Sequence, residues 1–127
     1  EIEESPSFAS VEASNDPIAG DPRKMVILRG EDIVWEETGV DGVQSRNLFV
    51  DHDANRLTIL IKMAPGAVFP DHEHPGVEEC MVIEGDLRIA GTVLHQFDYL
   101  RTPAGGRHGV PSTENGCLLL VTVPLAA

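Results

Sequence analysis

Basic residues are scarce in this sequence of 127 residues. Nine Lys and Arg stand against 21 Asp and Glu, which gives a formal net charge of -12 at pH 7. Because nucleic acids and anionic membranes are bound through clustered basic charge, neither is an expected partner. No apolar run approaches the ~18 residues that a membrane-spanning helix requires. The start of the sequence also lacks the basic, apolar and small-residue order of a signal peptide.

Cysteine is equally sparse, with only Cys80 and Cys117 in the sequence. Both lie within apolar runs, which is typical of buried free thiols and not of the disulfide framework of a small secreted protein. The sequence therefore predicts an intracellular, cytoplasmic protein.

The acidic residues that are present fall mainly in two segments. Residues 1–22 contain six acids and no base, and residues 71–86 contain six more, again with no base. Because residues 1–22 also lack a hydrophobic period, we expect them to form a disordered or loosely docked arm. Residues 23–127 then form a single domain, since the length suits one hydrophobic core and not two.

Short apolar runs from residue 25 onward predict an all-β domain. They are separated by Gly, Pro, Asn and Asp, which is typical of a β-sandwich or β-barrel. The runs are residues 25–28, 33–35, 44–50, 57–63, 80–83, 87–90, 99–100 and 117–123.

Alternation within two of these runs assigns faces to the strands. The odd positions of residues 57–63 are uniformly apolar, so we expect them to point inward. Residues 80–83 are apolar on both faces, which favours a second sheet on one side and a partner subunit on the other. The sequence therefore predicts a homodimer.

The second acidic segment also contains the residues best suited to chemistry. On an extended chain His72 and His74 project from the same face, about 7 Å apart. Glu78 begins the next strand after a Pro-Gly turn and can return a carboxylate to the same space. Two imidazoles and a carboxylate suit Zn, Fe, Mn, Ni or Cu, and His108 offers a third imidazole after the turn at residues 103–107.

These residues resemble the two sequence motifs of the cupins. The first motif is complete: Gly66, five residues, His72, Glu73 and His74, three residues, Glu78, six residues, Gly85. The second is present in part, since Pro103, Gly105 and His108 have the family spacing. Phe97 stands where that motif has Gly, and Ser112 stands where it has Asn.

Among cupins, the sequence is most similar to the metal-binding domain of ChrR-type anti-sigma factors. The resemblance covers about residues 25–123 and implies a small double-stranded β-helix, the jelly-roll or RmlC-like cupin barrel. It implies one divalent metal per chain on His72, His74, Glu78 and His108, with Glu78 and not Glu79 as the carboxylate ligand. Alternation agrees, because Glu79 faces away if Glu78, Cys80 and Val82 face the barrel interior. ChrR-type proteins carry their anti-sigma activity in a separate amino-terminal zinc module built from His and Cys. Since the first His is His52 and the first Cys is Cys80, that module does not lie within this sequence.

Other polar residues have simpler interpretations. His52 lies in a polar turn and is expected to be solvated. His95 alternates with Phe97 and Tyr99 on one predicted strand face and is expected to pack, although it could line a pocket. Cys80 could sit near the metal, but a small buried core residue is preferred. Arg101 and Arg107 could attract an anionic ligand, yet pairing with surface acids is commoner.

Three functions follow from this site. The preferred one is a ChrR-like cupin that binds or senses a small molecule at its metal. The alternative is a metalloenzyme, a non-haem Fe(II) dioxygenase for a small diketone or enol, in which Glu78 could detach and act as a base. In the third, the metal only stabilises the barrel. The sequence leaves open whether the protein is an enzyme; zinc and iron are the preferred metals, with manganese or nickel as further options.

Overall fold

The computed structural model describes residues 21–71 and 73–125, and these residues form an all-β domain. One turn of 3-10 helix at Gly30–Asp32 is the only helical element among them, and none of their helices is long and apolar enough to cross a membrane. The strands are β1 Glu36–Glu37, β2 Val43–Asp51, β3 Arg56–Met63, β4 Glu78–Gly85, β5 Leu87–Ile89, β6 Thr92–Leu94, β7 Tyr99–Thr102 and β8 Cys117–Pro124.

The strands form two layers. Six of them make an antiparallel sheet in the order β1-β2-β3-β8-β4-β7, and β5 pairs with β6 in a second sheet. Backbone bonds between Arg88 and Ser112 (2.7 and 3.0 Å) and from Phe69 to Pro111 (2.9 Å) extend this second layer. No ladder joins the layers in the described part of the chain, so packing closes the structure. The all-β prediction is confirmed.

The core lies between the two layers and follows the predicted alternation. In β3 the inward residues Leu57, Ile59, Ile61 and Met63 are at most 3% exposed. Phe69 and Leu87 from the second layer pack against the same cluster. On β4 the residues Glu78, Cys80 and Val82 are buried while Glu79 is exposed, as alternation predicted.

The amino-terminal segment departs from the strand pattern. The apolar run at residues 25–28 forms none of the strands, and Met25 and Ile27 are 88% and 70% exposed. The predicted arm at residues 1–22 lies almost entirely outside the described residues and stays a prediction.

Two positions of the cupin motifs, Gly85 and Phe97, lie in tight turns with a left-handed backbone. Gly85 matches its motif, whereas Phe97 stands in place of a motif glycine. Gly85 has φ 84°, and a Cβ there would overlap the carbonyl of Gly116. Phe97, which stands where the second motif has Gly, also has a left-handed backbone, with φ 72°. Its amide donates to the Val82 carbonyl (2.6 Å), so the turn keeps the backbone geometry that glycine adopts most easily.

The carboxylate of Asp86, directly after β4, accepts hydrogen bonds from the turn that precedes β8. It accepts the amides of Glu114 (2.9 Å) and Asn115 (3.0 Å), while the Thr113 hydroxyl donates to the Asp86 carbonyl (2.6 Å). The hydrogen bond from the Glu114 amide is the main reason that the pKa of Asp86 lies below its ordinary value, and burial opposes it. Asp86 therefore anchors the turn that leads into β8.

Replacing Asp86 by Asn should destabilise the fold by about 1 to 2 kcal/mol at neutral pH, because the charge-assisted bonds to two amides are lost. A carboxyl whose pKa is lowered by folding stabilises the native state above its unfolded pKa. That contribution disappears as pH falls through the native pKa. Urea unfolding between pH 7 and pH 3 should show the difference between wild type and D86N shrinking on acidification. A difference independent of pH would contradict this role.

Candidate metal centre

Two loops at one end of the barrel carry the polar residues predicted for the site. The first leads into β4, whose first residue is Glu78, and the second follows β7 and ends at His108. The amide of Gly105 donates to the His74 carbonyl (2.7 Å), and the His74 amide donates to the Gly106 carbonyl (3.3 Å). These two backbone bonds hold the loops together, so residues distant in sequence share one position in space.

Three of the four predicted residues meet at one point. The Oε1 atom of Glu78 lies 3.1 Å from Nε2 of His74 and 3.1 Å from Nε2 of His108. The imidazole rings are tilted by 51°, with centroids 4.6 Å apart. All three residues are buried, and their donor atoms lie within 4.8 Å of one another, so the cluster could hold a metal ion. The fourth predicted residue, His72, lies outside the described residues.

The hydrogen bonding of His108 explains why this cluster suits a cation. Its Nδ1 lies 2.9 Å from the Gly109 carbonyl, which can only accept, so Nδ1 carries the proton. In the neutral ring Nε2 is then an acceptor that faces the Glu78 carboxylate, another acceptor. A cation shared by Nε2 and Oε1 removes this conflict, and a carbonyl on the far nitrogen is the usual arrangement for a metal-binding histidine.

In the protein without metal, a proton between His108 and Glu78 can take the place of the cation. Burial by itself would lower the pKa of His108, but the bonds to Glu78 and to the Gly109 carbonyl outweigh it, and the net pKa is raised. The site therefore stabilises positive charge at His108. A divalent ion would satisfy the same preference more strongly.

A small apolar cavity adjoins the cluster. Its walls include Glu78 and His108, and about 20 Å³ is open to a water-sized sphere, room for about one water molecule. The other walls are Ile61, Met63, Phe69, Cys80, Leu87, Ile89, Leu100, Pro111, Leu119 and Val121.

Cys80 is a neutral thiol on this wall. Burial, and next the charge of Glu78, raise the pKa of Cys80 to about 12. The cluster of possible metal ligands among the described residues does not include Cys80. The preference for a small buried core residue is therefore supported.

The remaining polar predictions have mixed outcomes. His52 is exposed in a turn, as expected. The expected packing of His95 is wrong, since the residue is exposed in the turn before β7, which begins only at Tyr99. Arg107 lies 3.4 Å from Asp71 in an exposed ion pair, so the pairing with a surface acid is confirmed.

One residue near the site was missed from the sequence. Arg56, the first residue of β3, donates from Nη1 to the Val77 carbonyl (2.9 Å), directly before Glu78. The contact spans 21 residues, and no local pattern marks it. Arg56 therefore fixes the backbone that presents the carboxylate.

A comparison with family models matches residues 23–124 to the ChrR cupin-like domain. The chain belongs to the ChrR cupin-like family. The resemblance inferred from the motifs is confirmed, and a comparison with curated proteins returns no match.

Solved structures support the cupin fold of this family member. A chain in the crystal structure of Rhodobacter sphaeroides SigE in complex with the anti-sigma ChrR is 28% identical, with a TM-score of 0.65; the match covers 97% of this chain and 69% of that one. An RmlC-like cupin from Shewanella frigidimarina is 23% identical, with a TM-score of 0.70, and 81% and 93% of the two chains are covered. An acetylacetone dioxygenase from Acinetobacter johnsonii is 17% identical, with a TM-score of 0.69 and coverage of 83% and 76%. The last two show the fold alone, and the predicted cupin fold is confirmed.

Replacing Arg56 by Met should weaken metal binding by the cluster about fivefold, since one hydrogen bond of about 1 kcal/mol that holds the backbone before Glu78 is lost. Competition between the protein and a chromophoric chelator for Zn²⁺ measures the affinity. The matched control is Arg88→Met, which removes an exposed ion pair to Glu114 in the second layer. Equal affinities for both variants would show that Arg56 does not position the site.

Proposed function

We propose that this protein is a metal-binding cupin that binds or senses a small molecule at one divalent transition metal. The convergence of His74, Glu78 and His108 on one buried point carries the proposal. His72 completes the ligand set, because it lies two residues before His74 in a full cupin motif. Zinc and iron suit three imidazoles and one carboxylate, and manganese or nickel also fit.

A bound metal would supply Lewis acidity and an attachment point for a ligand. The protein groups around it have separate tasks. The Gly109 carbonyl keeps the proton of His108 on Nδ1, and the apolar walls leave room for only about one water molecule beside the cluster.

Removal of metal by mutation tests the ligand assignment. His74→Ala and Glu78→Gln should each reduce the metal content from about one ion per chain to well below half, because a site with one donor missing binds at least tenfold more weakly. The melting temperature should also fall, since bound metal stabilises the native state. Elemental analysis of the purified full chain measures the metal.

Two other histidines provide matched controls for this experiment. His52→Ala and His95→Ala remove exposed imidazoles away from the cluster and should leave the metal content unchanged. Full metal content in the His74 and Glu78 variants would overturn the assignment. Glu78→Gln keeps the side-chain shape, so it distinguishes lost metal from lost folding.

A dioxygenase acting on a small diketone or enol remains the alternative enzyme function. A dioxygenase shares the fold at 17% identity, and the same cluster would hold Fe(II). Against it, the described cavity walls carry no carboxyl or imidazole group besides Glu78 and His108, which are proposed ligands, whereas an enzyme usually needs an acid or base beyond its metal ligands. Sensing or binding is therefore preferred.

Oxygen consumption separates these two functions. The Fe(II)-loaded chain, mixed with a panel of small 1,3-dicarbonyls, should consume oxygen no faster than the Glu78→Gln variant. Substrate-dependent consumption at least tenfold above that control would favour the enzyme. The Clark electrode reads the rate directly, so the result does not depend on identifying a product.

Cytoplasmic localisation and homodimerisation complete the proposal. Both cysteines are buried free thiols, which suits a reducing compartment. The outward side chains of β4, Met81 and Ile83, are apolar and only partly buried within one chain. A second copy would cover them.

A further inference from the structure

The outer face of the six-stranded sheet has an apolar centre. The strand register places Leu60 of β3, Leu120 of β8 and Met81 of β4 side by side in one row. Leu118 lies in the neighbouring row, between Lys62 of β3 and Glu84 of β4. All these apolar side chains are partly exposed. The centre of the face is thus suited to contact with another protein surface.

The charges on this face are arranged on opposite sides of β8. On the β2 and β3 side the face carries the bases Arg46 and Lys62, and the acid Glu37 lies at its β1 edge, bonded to Gln44. On the β4 and β7 side it carries the acids Glu79 and Glu84, with Arg101 beside Glu79. The two strands that flank β8 therefore carry opposite charge, with Lys62 on β3 and Glu79 and Glu84 on β4.

This arrangement is self-complementary under one particular symmetry. A two-fold axis that lies between two stacked sheets and runs parallel to β8 places β3 of one copy over β4 of the other. Because the rotation leaves positions along the strand direction unchanged, residues of one cross-strand row in the first copy face the same row in the second. Lys62 then faces Glu84 of the second copy, Leu60 faces Met81, and Leu120 meets its own counterpart. An axis perpendicular to the strands would instead place Arg46 near Arg46.

We propose that two copies of this chain dimerise through the outer faces of their six-stranded sheets, about a two-fold axis parallel to β8. This arrangement rests on the homodimer proposed above and specifies its interface. The partner is a second copy because the charge pattern complements itself. Stacked sheets pack with their strands nearly aligned, at about 30°, which keeps facing rows close enough to interact.

The size of the face is about what a specific dimer needs. Under this symmetry β3, β8 and β4, each about 26 Å long, overlap in full, and β2 overlaps the shorter β7, about 13 Å long, so strands spaced about 4.8 Å apart share roughly 500 Å² of projected surface. Two such faces bury roughly 1,000 Å², about the threshold for a specific interface. The apolar centre and the flanking charges match the anatomy of such interfaces.

The intramolecular contact of Lys62 also fits this geometry. Its Nζ lies 4.4 Å from the centre of the Trp35 ring. Trp35, Lys62, Leu118 and Glu84 line one open groove across the face. The proposed pairing with Glu84 of a second copy would take place in this groove.

Charge reversal across the proposed pair tests the arrangement. Lys62→Glu and Glu84→Lys should each raise the dimer dissociation constant at least tenfold, because each places like charges opposite one another. The double variant restores opposite charges and should return the constant to within about threefold of wild type. Sedimentation equilibrium of the full chain over a range of concentrations gives the constant.

Matched controls reverse a salt bridge on the other layer. Arg88→Glu and Glu114→Lys change the same charges at an exposed pair in the second layer and should leave the constant unchanged. A monomeric wild type at micromolar concentration would overturn the homodimer and this interface together. A dimeric wild type with unaffected Lys62 and Glu84 variants would overturn the interface alone. Failure of the double variant to recover would overturn the pairing of Lys62 with Glu84. None of these results bears on the metal assignment.

Discussion

The buried carboxylate of Glu78 is the constraint on which this structure depends. It lies between two imidazoles, 3.1 Å from each, at a position that is 4% exposed. A carboxylate out of contact with water needs a compensating positive charge, because desolvating an isolated anion costs several kcal/mol or more. His108 can supply that charge as a proton, or the three residues can share a metal ion. Either cation would offset the cost of burying the carboxylate.

The fold meets this constraint by combining two loops with one rigid strand. Glu78 is the first residue of β4, and β4 is held by β7 on one side and β8 on the other. His74 and His108 come from loops that are joined by their own backbone amides, while Arg56 of β3 holds the residue before Glu78. Donor atoms on rigid supports need little rearrangement to bind a metal, which favours affinity.

The parts of the site that depend on local spacing were predictable from the sequence. His74 and Glu78 are four residues apart, and alternation along β4 correctly placed Glu78 inward and Glu79 outward. Contacts set by the register of distant strands were not predictable, and the bond from Arg56 to Val77 is one of them. The wrong expectation for His95 has a local cause. It continues the alternation of β7 backwards from Tyr99 to His95, but β7 begins only at Tyr99, and the preceding residues form a turn in which Phe97 adopts a left-handed backbone.

Strand β4 takes part in both the proposed metal site and the proposed dimer interface, because one of its faces points into the core and the other points outward. Glu78, Cys80 and Val82 point into the core, with Glu78 at the candidate metal centre, whereas Glu79, Met81 and Ile83 point outward. Burying the outward side chains against a second copy would restrict the motion of β4, and Glu78 is part of that strand. A dimer would therefore hold the carboxylate more rigidly than a monomer does. By linkage, a metal that binds more tightly to the dimer must also strengthen the dimer by the same factor.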